Sequence, residues 1–126
     1  MRIFSTRAFS RLDVADELDD TDLIAAVTEM NDGLWDVSLG GHVYKKRIAL
    51  AGRGKSAGAR TLVAFKSDDR AFFMYGFSKN QRSNITTKEK KALKFMAREF
   101  LGYNDKQLRQ ALKHGALIEI EVQEND

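Results

Sequence analysis

The sequence contains no cysteine and no proline among its 126 residues, and it has only two histidines, His42 and His114. Without cysteine the chain forms no disulfide, and it has neither a thiolate nucleophile nor a zinc site built on sulfur. The two histidines are far apart and share no metal-ligand spacing. We therefore expect a chain that folds on its hydrophobic core alone, with no metal and no cofactor.

A long hydrophobic run is also missing. The longest uninterrupted apolar stretch is far below the roughly 20 residues that a membrane-spanning helix needs. The N-terminal residues MRIFSTRAFSRL lack the apolar centre of a signal peptide. These patterns predict a cytoplasmic protein with no membrane partner, and the length predicts one domain, residues 1–126.

Positive charge is concentrated in the middle of the chain. Residues 42–82 carry ten Lys and Arg against two Asp and Glu, whereas residues 1–41 carry three against nine, and residues 83–126 carry eight against seven. A basic segment of this kind indicates an anionic partner such as a nucleic acid. A solvated surface without any such partner would have the same composition.

The same basic segment holds three apolar runs, VYKKRIAL, RTLVAFK and RAFFMYGF, that predict an antiparallel meander of strands. Apolar residues at helical spacing predict helices on both sides of it, with a cap at Asp20 or Thr21 for the helix through Met30. Thr86 and Glu89 predict a capping box, and ALIEIEV predicts a final strand. The predicted fold class is therefore α+β.

Strand alternation places Lys45 and Arg47 on one face of the first strand, and we expect Arg60 of the second strand on the same exposed face. Guanidinium and ammonium groups grouped in this way bind phosphate oxygens. Charges that protect a solvated sheet from aggregation would produce the same pattern. Lys46 falls on the opposite face, so we expect its stem to pack at the rim of the core and its ammonium to remain in water.

Two further segments supply polar groups. The Gly-rich loop after the first strand carries Arg53 and Lys55, which we expect to contact a nucleic-acid backbone. The loop is not a P-loop, because Ala49 stands where that motif requires glycine. The run after the third strand, residues 79–84, is polar throughout and includes Lys79, Asn80, Arg82 and Asn84. Such residues either reach a substrate at the end of the sheet or simply form a turn with caps.

The motifs YKKR, RTLVAF, FMYGF and KNQRSNI, in this order, resemble those of the RelE/ParE superfamily of bacterial toxins, especially its RelE-type branch with HigB-like relatives. The resemblance covers most of the chain and is strongest from Tyr44 to Ile85. It implies a RelE-like microdomain in which the meander packs against the N-terminal helices. Its core would span about residues 1–101, followed by a helix–strand extension over about residues 102–126 to which the resemblance assigns nothing.

The resemblance also implies a function, that of the toxin of a type II toxin-antitoxin system which cleaves mRNA on the ribosome without a metal. Lys45 and Arg47 match the two cations of the family's first strand, and Arg60 matches the arginine of its second strand. The remaining catalytic matches are Lys79 and Arg82.

Four residues are expected to bind RNA: Arg53, Lys55, Asn80 and Asn84. Two positions depart from the family pattern. Asn80 stands where the family has arginine. Thr86 stands where the family has a tyrosine that stacks on the base and assists proton transfer.

The implied partners are a cognate antitoxin with an acidic, partly disordered segment, and mRNA on the ribosome. Two alternatives remain open at the level of the sequence. One is a ParE-like toxin that inhibits a topoisomerase and cuts no RNA. The other is a catalytically silent module that binds RNA or the ribosome, which the departures at Asn80 and Thr86 favour.

Overall fold

The computed structural model describes residues 1–50 and 58–122 of the chain. Its strands are β1 (Arg2–Thr6), β2 (Val37–Gly40), β3 (Val43–Ile48), β4 (Ala59–Lys66), β5 (Arg70–Ser78) and β6 (Leu117–Ile120). Its helices are α1 (Arg7–Ser10), α2 (Asp13–Asp16), α3 (Asp20–Asn31), α4 (Thr87–Leu101) and α5 (Asp105–Lys113). The predicted α+β class is confirmed. The stretch after β1 forms two separate helical turns, α1 and α2.

The strands form one six-stranded sheet in the order β2-β3-β4-β5-β1-β6. The meander β3-β4-β5 is antiparallel throughout, as the sequence predicts. β1 lies against the far side of β5 in a parallel pairing, and β6 pairs with β1 in an antiparallel one. Because β1 and β6 both join the meander, β5 becomes an interior strand, which explains why its residues are apolar on both faces.

Helices cover both faces of the sheet. Helices α1, α2 and α3 bury one face, where Phe9, Met30 and Phe73 belong to one hydrophobic cluster. Helices α4 and α5 cover the other face, where Leu62 and Leu93 pack in a second cluster. The face of the meander that carries Lys45 and Arg47 is therefore covered by α4 over much of its length, and only its end remains open for these cations.

The helix caps show how local chemistry sets the element boundaries. At α4 the predicted capping box is confirmed: Thr86 Oγ1 accepts from Glu89 N at 3.1 Å, and the Glu89 carboxylate accepts from Thr86 N at 2.8 Å. At α3 the expected cap was wrong. Asp19 is the N-cap, because its backbone is extended and its carboxylate accepts from Asp22 N at 2.9 Å, while Asp20 already lies in the first turn.

The C-terminal residues complete the sheet. β6 pairs with β1 from Ile3 opposite Ile120 to Thr6 opposite Leu117. An ion pair between Arg2 and Glu119, at 2.8 Å, lies across the same two strands. This part of the chain therefore closes one edge of the fold instead of trailing from it. Among the described residues, no helix has the length and apolar character needed to cross a bilayer.

We expect two neighbouring residues of β6 to differ sharply in their contribution to stability. Leu117 is 2% exposed, whereas Ile118 is 45% exposed. Leu117→Ala should lower the free energy of unfolding by about 2–4 kcal/mol because it leaves a cavity. Ile118→Ala should cost less than about 1 kcal/mol. Urea denaturation of the full chain measures both, and equal effects would show that β6 is not packed against the core.

Candidate functional site

Three adjacent strands present two rows of side chains on the face that α4 covers. In the first row Arg47 of β3 is opposite Arg60 of β4, which is opposite Phe77 of β5. The second row is made up of Lys45, Leu62 and Tyr75. Directly opposite residues share a face, and neighbouring strands are about 4.8 Å apart. The two arginines and the lysine therefore lie together at the end of the sheet where β3 ends and β4 begins.

The surroundings of Lys45 depress its basicity. Partial burial lowers the pKa of the Lys45 ammonium below its ordinary value, and the charges of Arg47 and Arg60 lower it further. Asp36 acts in the opposite direction and raises that pKa. A lysine with a lowered pKa is more often in the neutral amine form that accepts a proton.

Asp36, in the segment before β2, holds Arg47 in place. Its Oδ2 atom accepts a hydrogen bond from the backbone N–H of Arg47 at 2.7 Å, and its Oδ1 atom lies 3.7 Å from the Arg47 Nε atom. The Arg47 side chain nevertheless remains 44% exposed. Arg47 is thus anchored at its backbone while its guanidinium remains accessible to an anionic ligand.

The expectation that Arg60 lies on an exposed face was wrong. Arg60 is only 8% exposed, and its Nη1 atom donates to the carbonyl oxygen of Gly58 at 3.0 Å. The reason is tertiary, because Arg82 from the segment after β5 lies over Phe77, the cross-strand neighbour of Arg60. The guanidinium is therefore held in a confined site, where electrostatic interactions are stronger than on an open surface.

Lys46 is structural, as strand alternation predicts. It is 4% exposed, and its Nζ atom donates to Glu29 Oε1 and to the Leu34 carbonyl oxygen, both at 2.8 Å. The expectation that its ammonium stays in water was wrong, because α3 and the segment after it supply two acceptors that enclose it. Lys46 therefore fastens α3 to β3 and takes no part in the cationic face.

Arg82 is surrounded by acceptors from three directions. Its Nη1 and Nη2 atoms donate to both carboxylate oxygens of Glu89, at 2.9 and 2.6 Å, and Nη1 also donates to the Tyr75 hydroxyl at 3.1 Å. Its Nε atom donates to the carbonyl oxygen of Asn84 at 2.9 Å. The guanidinium also lies 5.3 Å from the centre of the Phe77 ring. Arg82 thus joins the end of β5 to the first turn of α4.

This pairing is strong enough to move the pKa values of both partners. The hydrogen bonds from Arg82 lower the pKa of the Glu89 carboxyl to about 2, with help from the backbone N–H of Thr86. The hydrogen bond to Glu89 in turn raises the pKa of Arg82 further above its ordinary value. Both groups are charged at neutral pH, so the link between β5 and α4 is a full ion pair.

Asn84 reaches the cationic cluster directly. Its Oδ1 atom accepts from Lys45 Nζ at 2.9 Å and from the backbone N–H of Ile85 at 2.8 Å. Lys79 and Asn80 of the same run are exposed in the turn after β5. Arg53 and Lys55 lie outside the described residues. The structure thus brings together Lys45, Arg47, Arg60 and Asn84, with Arg82 beside them.

Sequence reasoning missed three residues of this site: Asp36, Tyr75 and Glu89. Tyr75 had a usable signal, because the pairing of β4 with β5 puts it on the same face as Lys45, but the register was unknown. Glu89 was recognised only as a cap. In residues 1–50 and 58–122, no group of three or more His, Cys, Asp or Glu side chains is arranged to hold a metal ion.

The family of the chain follows from a comparison with protein-family models. The model described as the RelE toxin of the RelE / RelB toxin-antitoxin system matches residues 1–120. The chain belongs to the RelE toxin family. It is therefore the toxin of a type II toxin-antitoxin system, and its partner is a cognate antitoxin. The match extends through α5 and β6, beyond the residues that the sequence motifs covered.

A comparison of this RelE-family toxin with curated proteins found no match. The family model assigns no role to individual residues, so these roles are inferred from the geometry of the site.

Replacing each of the two adjacent lysines of β3 should have a different effect on the free energy of unfolding. Lys46→Met removes the donor to Glu29 and Leu34 inside the fold and should cost about 1–3 kcal/mol of unfolding free energy. Lys45→Met should change it by about 0.5 kcal/mol or less, because Lys45 lies at the open end of the sheet. Chemical denaturation at neutral pH makes the comparison, and a larger loss in Lys45→Met would contradict the assignment.

The Arg82–Glu89 pair should make the stability of the protein decrease as the pH falls. Because the pKa of Glu89 is lowered to about 2, its contribution is complete above the ordinary carboxyl pKa and is lost as the pH falls towards 2. Glu89→Gln should therefore be less stable than the wild type at pH 7, and the difference should shrink between pH 5 and pH 2. Thermal melts across this range measure the difference.

The matched control is Glu99→Gln, which makes the same chemical change at an exposed position of the same helix. This substitution should leave stability within about 0.5 kcal/mol of the wild type at pH 7. If the difference between Glu89→Gln and the wild type were constant from pH 7 to pH 2, the ion pair would not be its source.

Proposed function

We propose that this RelE-family toxin is a ribosome-dependent mRNA endonuclease that cuts RNA through attack by a ribose 2′-hydroxyl. The observation that carries the proposal is the placement of Lys45, Arg47 and Arg60 on one face at the same end of β3 and β4. A base next to two cations fits one phosphodiester and its neighbouring 2′-hydroxyl, and partial burial with these two charges lowers the pKa of Lys45. The family, whose members are in general ribonuclease toxins, supports the same class of activity.

Lys45 acts as the general base in this mechanism. Its neutral amine accepts the proton of the 2′-hydroxyl while the 2′-oxygen forms a bond to the adjacent phosphorus. The bond from phosphorus to the 5′-oxygen then breaks. The products are a 2′,3′-cyclic phosphate and a 5′-hydroxyl, and no water is consumed. DNA is not cut, because it has no 2′-hydroxyl.

Arg47 and Arg60 stabilise the negative charge that develops on the phosphate oxygens. The two residues lie opposite each other on adjacent strands, at the same end of the sheet. Burial fixes the Arg60 guanidinium before the reaction, whereas Asp36 anchors the Arg47 backbone and lies 3.7 Å from the Arg47 Nε atom. Preorganised donors of this kind make the largest single contribution to catalysis in many enzymes.

Lys79 donates the proton that the 5′-oxygen needs in order to leave. It is exposed in the turn after β5, at the end of the sheet where β4 begins. Asn80 and Asn84 in the same run, together with Arg53 and Lys55, contact the RNA. Arg82, which the family resemblance assigns to catalysis, instead acts through its neighbours, since Glu89, Tyr75 and Asn84 already occupy its donors.

A catalytically silent module that binds RNA or the ribosome is the second candidate, and one observation favours it. Position 86 carries no aromatic side chain, and the hydroxyl of Thr86 is used to cap α4. Base stacking at that position is therefore absent. Tyr75 is an aromatic residue in the same row as Lys45, but Arg82 lies over its ring and limits stacking of a base on that face.

We further propose that the antitoxin neutralises this site with an acidic, partly disordered segment. Residues 42–82 carry ten basic and two acidic residues, so their surface complements a segment of that charge. Such a segment would compete with mRNA for Arg47 and Lys45. The toxin would act on translating ribosomes, and therefore in the cytoplasm.

The test is to add the protein to a translation extract and to map the 5′ ends of the mRNA. Wild-type protein should produce cuts in phase with codons. Lys45→Met should reduce cleavage about 10²–10⁴-fold, as expected for a lost general base. Arg47→Gln should reduce it about 10²–10³-fold, as expected for a lost electrostatic contact. Both residues lie at the open end of the sheet, so these variants should fold.

The control variant is Lys88→Met, which removes an exposed cation from α4 and should cleave like the wild type. Intact mRNA together with arrested translation would support the silent module instead. Intact mRNA and normal translation, with inhibited DNA supercoiling, would support a ParE-like toxin.

A further inference from the structure

We propose that Asn84 is a positioning residue whose side-chain oxygen aims the Lys45 amine at the RNA 2′-hydroxyl, and that the Arg82–Glu89 pair holds Asn84 in place. This inference rests on the proposed function of Lys45 as the base. In this proposal Arg82 and Glu89 do not contact the substrate but hold Asn84. Asn84 orients Lys45 and also contacts the RNA.

Lys45 needs an external contact to hold its amine in one direction. Its side chain has four rotatable bonds, and a half-buried lysine at the end of a strand loses much entropy when one conformer is selected. The hydrogen bond from its Nζ atom to Asn84 Oδ1, at 2.9 Å, selects that conformer. A catalytic group held in the productive orientation reacts far faster than one that must find it.

The orientation of the Asn84 amide is dictated by its partners. Both Lys45 Nζ and the backbone N–H of Ile85 are donors, so the atom between them is the oxygen. Because Ile85 donates to this atom as well, the amide has little freedom to turn. The same oxygen therefore presents a fixed acceptor to Lys45.

The backbone of Asn84 is fixed by Arg82. The Arg82 Nε atom donates to the Asn84 carbonyl oxygen at 2.9 Å, while both terminal nitrogens bind the Glu89 carboxylate. Glu89 is itself the third residue of α4 and part of its capping box with Thr86. An unbroken set of hydrogen bonds thus leads from the first turn of α4 through Arg82 and Asn84 to Lys45.

A neutral acceptor suits a base better than a charged one. The amide oxygen accepts a hydrogen bond from the amine in either protonation state, so Lys45 can lose a proton without losing its orientation. A carboxylate at position 84 would hold the ammonium form. The other charged or titratable groups on this face near Lys45 are Arg47 on its own strand, Arg60 on β4, Tyr75 on β5 and Asp36 before β2.

The test compares Asn84→Asp and Asn84→Ala with the wild type on purified ribosomes programmed with mRNA. In Asn84→Asp the rising part of the pH–rate profile should move to higher pH, and cleavage below it should fall roughly tenfold for each pH unit of displacement. In Asn84→Ala, kcat should fall about 10–100-fold while KM rises by less than about threefold, because orientation is lost together with only one of several RNA contacts. Glu89→Gln should lower kcat in the same direction.

Asn104→Asp is the matched control, since it makes the same change of amide to carboxylate at an exposed helix cap, that of α5. Its pH–rate profile should coincide with that of the wild type. A profile of Asn84→Asp that also coincides with the wild type, at a site where Lys45→Met abolishes cleavage, would overturn the proposal. Unchanged kinetics in Glu89→Gln would overturn the part assigned to the Arg82–Glu89 pair.

A second measurement separates this proposal from the proposed function. NMR titration of ¹³C-labelled lysine, with the Lys45 signal assigned from Lys45→Arg, follows the pKa of Lys45 without any cleavage. That pKa should rise in Asn84→Asp and stay unchanged in Asn104→Asp. If the Lys45 titration responds in this way but the wild type cuts no RNA, the contact stands and the proposed function falls. A titration that does not respond overturns the contact itself.

Discussion

The register between β3 and β4 sets Arg47 directly opposite Arg60, and the site depends on this pairing of like charges. Opposed like charges destabilise a sheet, and burial elsewhere along the two strands fixes the register that opposes them. Val43 and Ala64 further along the same strands are fully buried, so a shift of one residue would move them out of the core. The hydrophobic core thus holds two cations close together despite their repulsion. Partial burial lowers the pKa of Lys45, and the charges of these two cations lower it further.

Helix α4 covers most of the face that carries these charges, so a ligand can reach them only from the end of the sheet. By packing over Leu62 and its neighbours it closes the face of the meander and leaves Lys45 and Arg47 at the open end. The same helix begins at the capping box, whose Glu89 binds Arg82. The start of α4 therefore determines where Asn84 lies relative to Lys45. The Arg82–Glu89 ion pair therefore contributes to stability, because it links β5 to α4, and to the proposed function, because Arg82 also binds Asn84.

The remaining acidic and apolar groups explain how a basic chain folds around such a site. Asp36 and Glu29 each bind one cation of β3, on opposite faces of the strand. Asp36 leaves Arg47 accessible, whereas Glu29 encloses Lys46. These acidic residues of the N-terminal part give the two cations different roles. Glu29 holds Lys46 inside the fold, whereas Asp36 leaves Arg47 available to a ligand.

The sequence by itself determined the class of fold, the three strands of the meander, the capping box at Thr86 and the separation of Lys46 from Lys45 and Arg47, because these depend on local periodicity and short-range hydrogen bonds. Its motifs also led to the correct family. Only the tertiary structure decided that Arg60 is buried, that β1 and β6 extend the sheet beyond β5, and that Arg82 binds Glu89 and Tyr75. Each of these depends on which surfaces pack together and in what register, and strand alternation defines two faces without showing which of them a distant helix will cover.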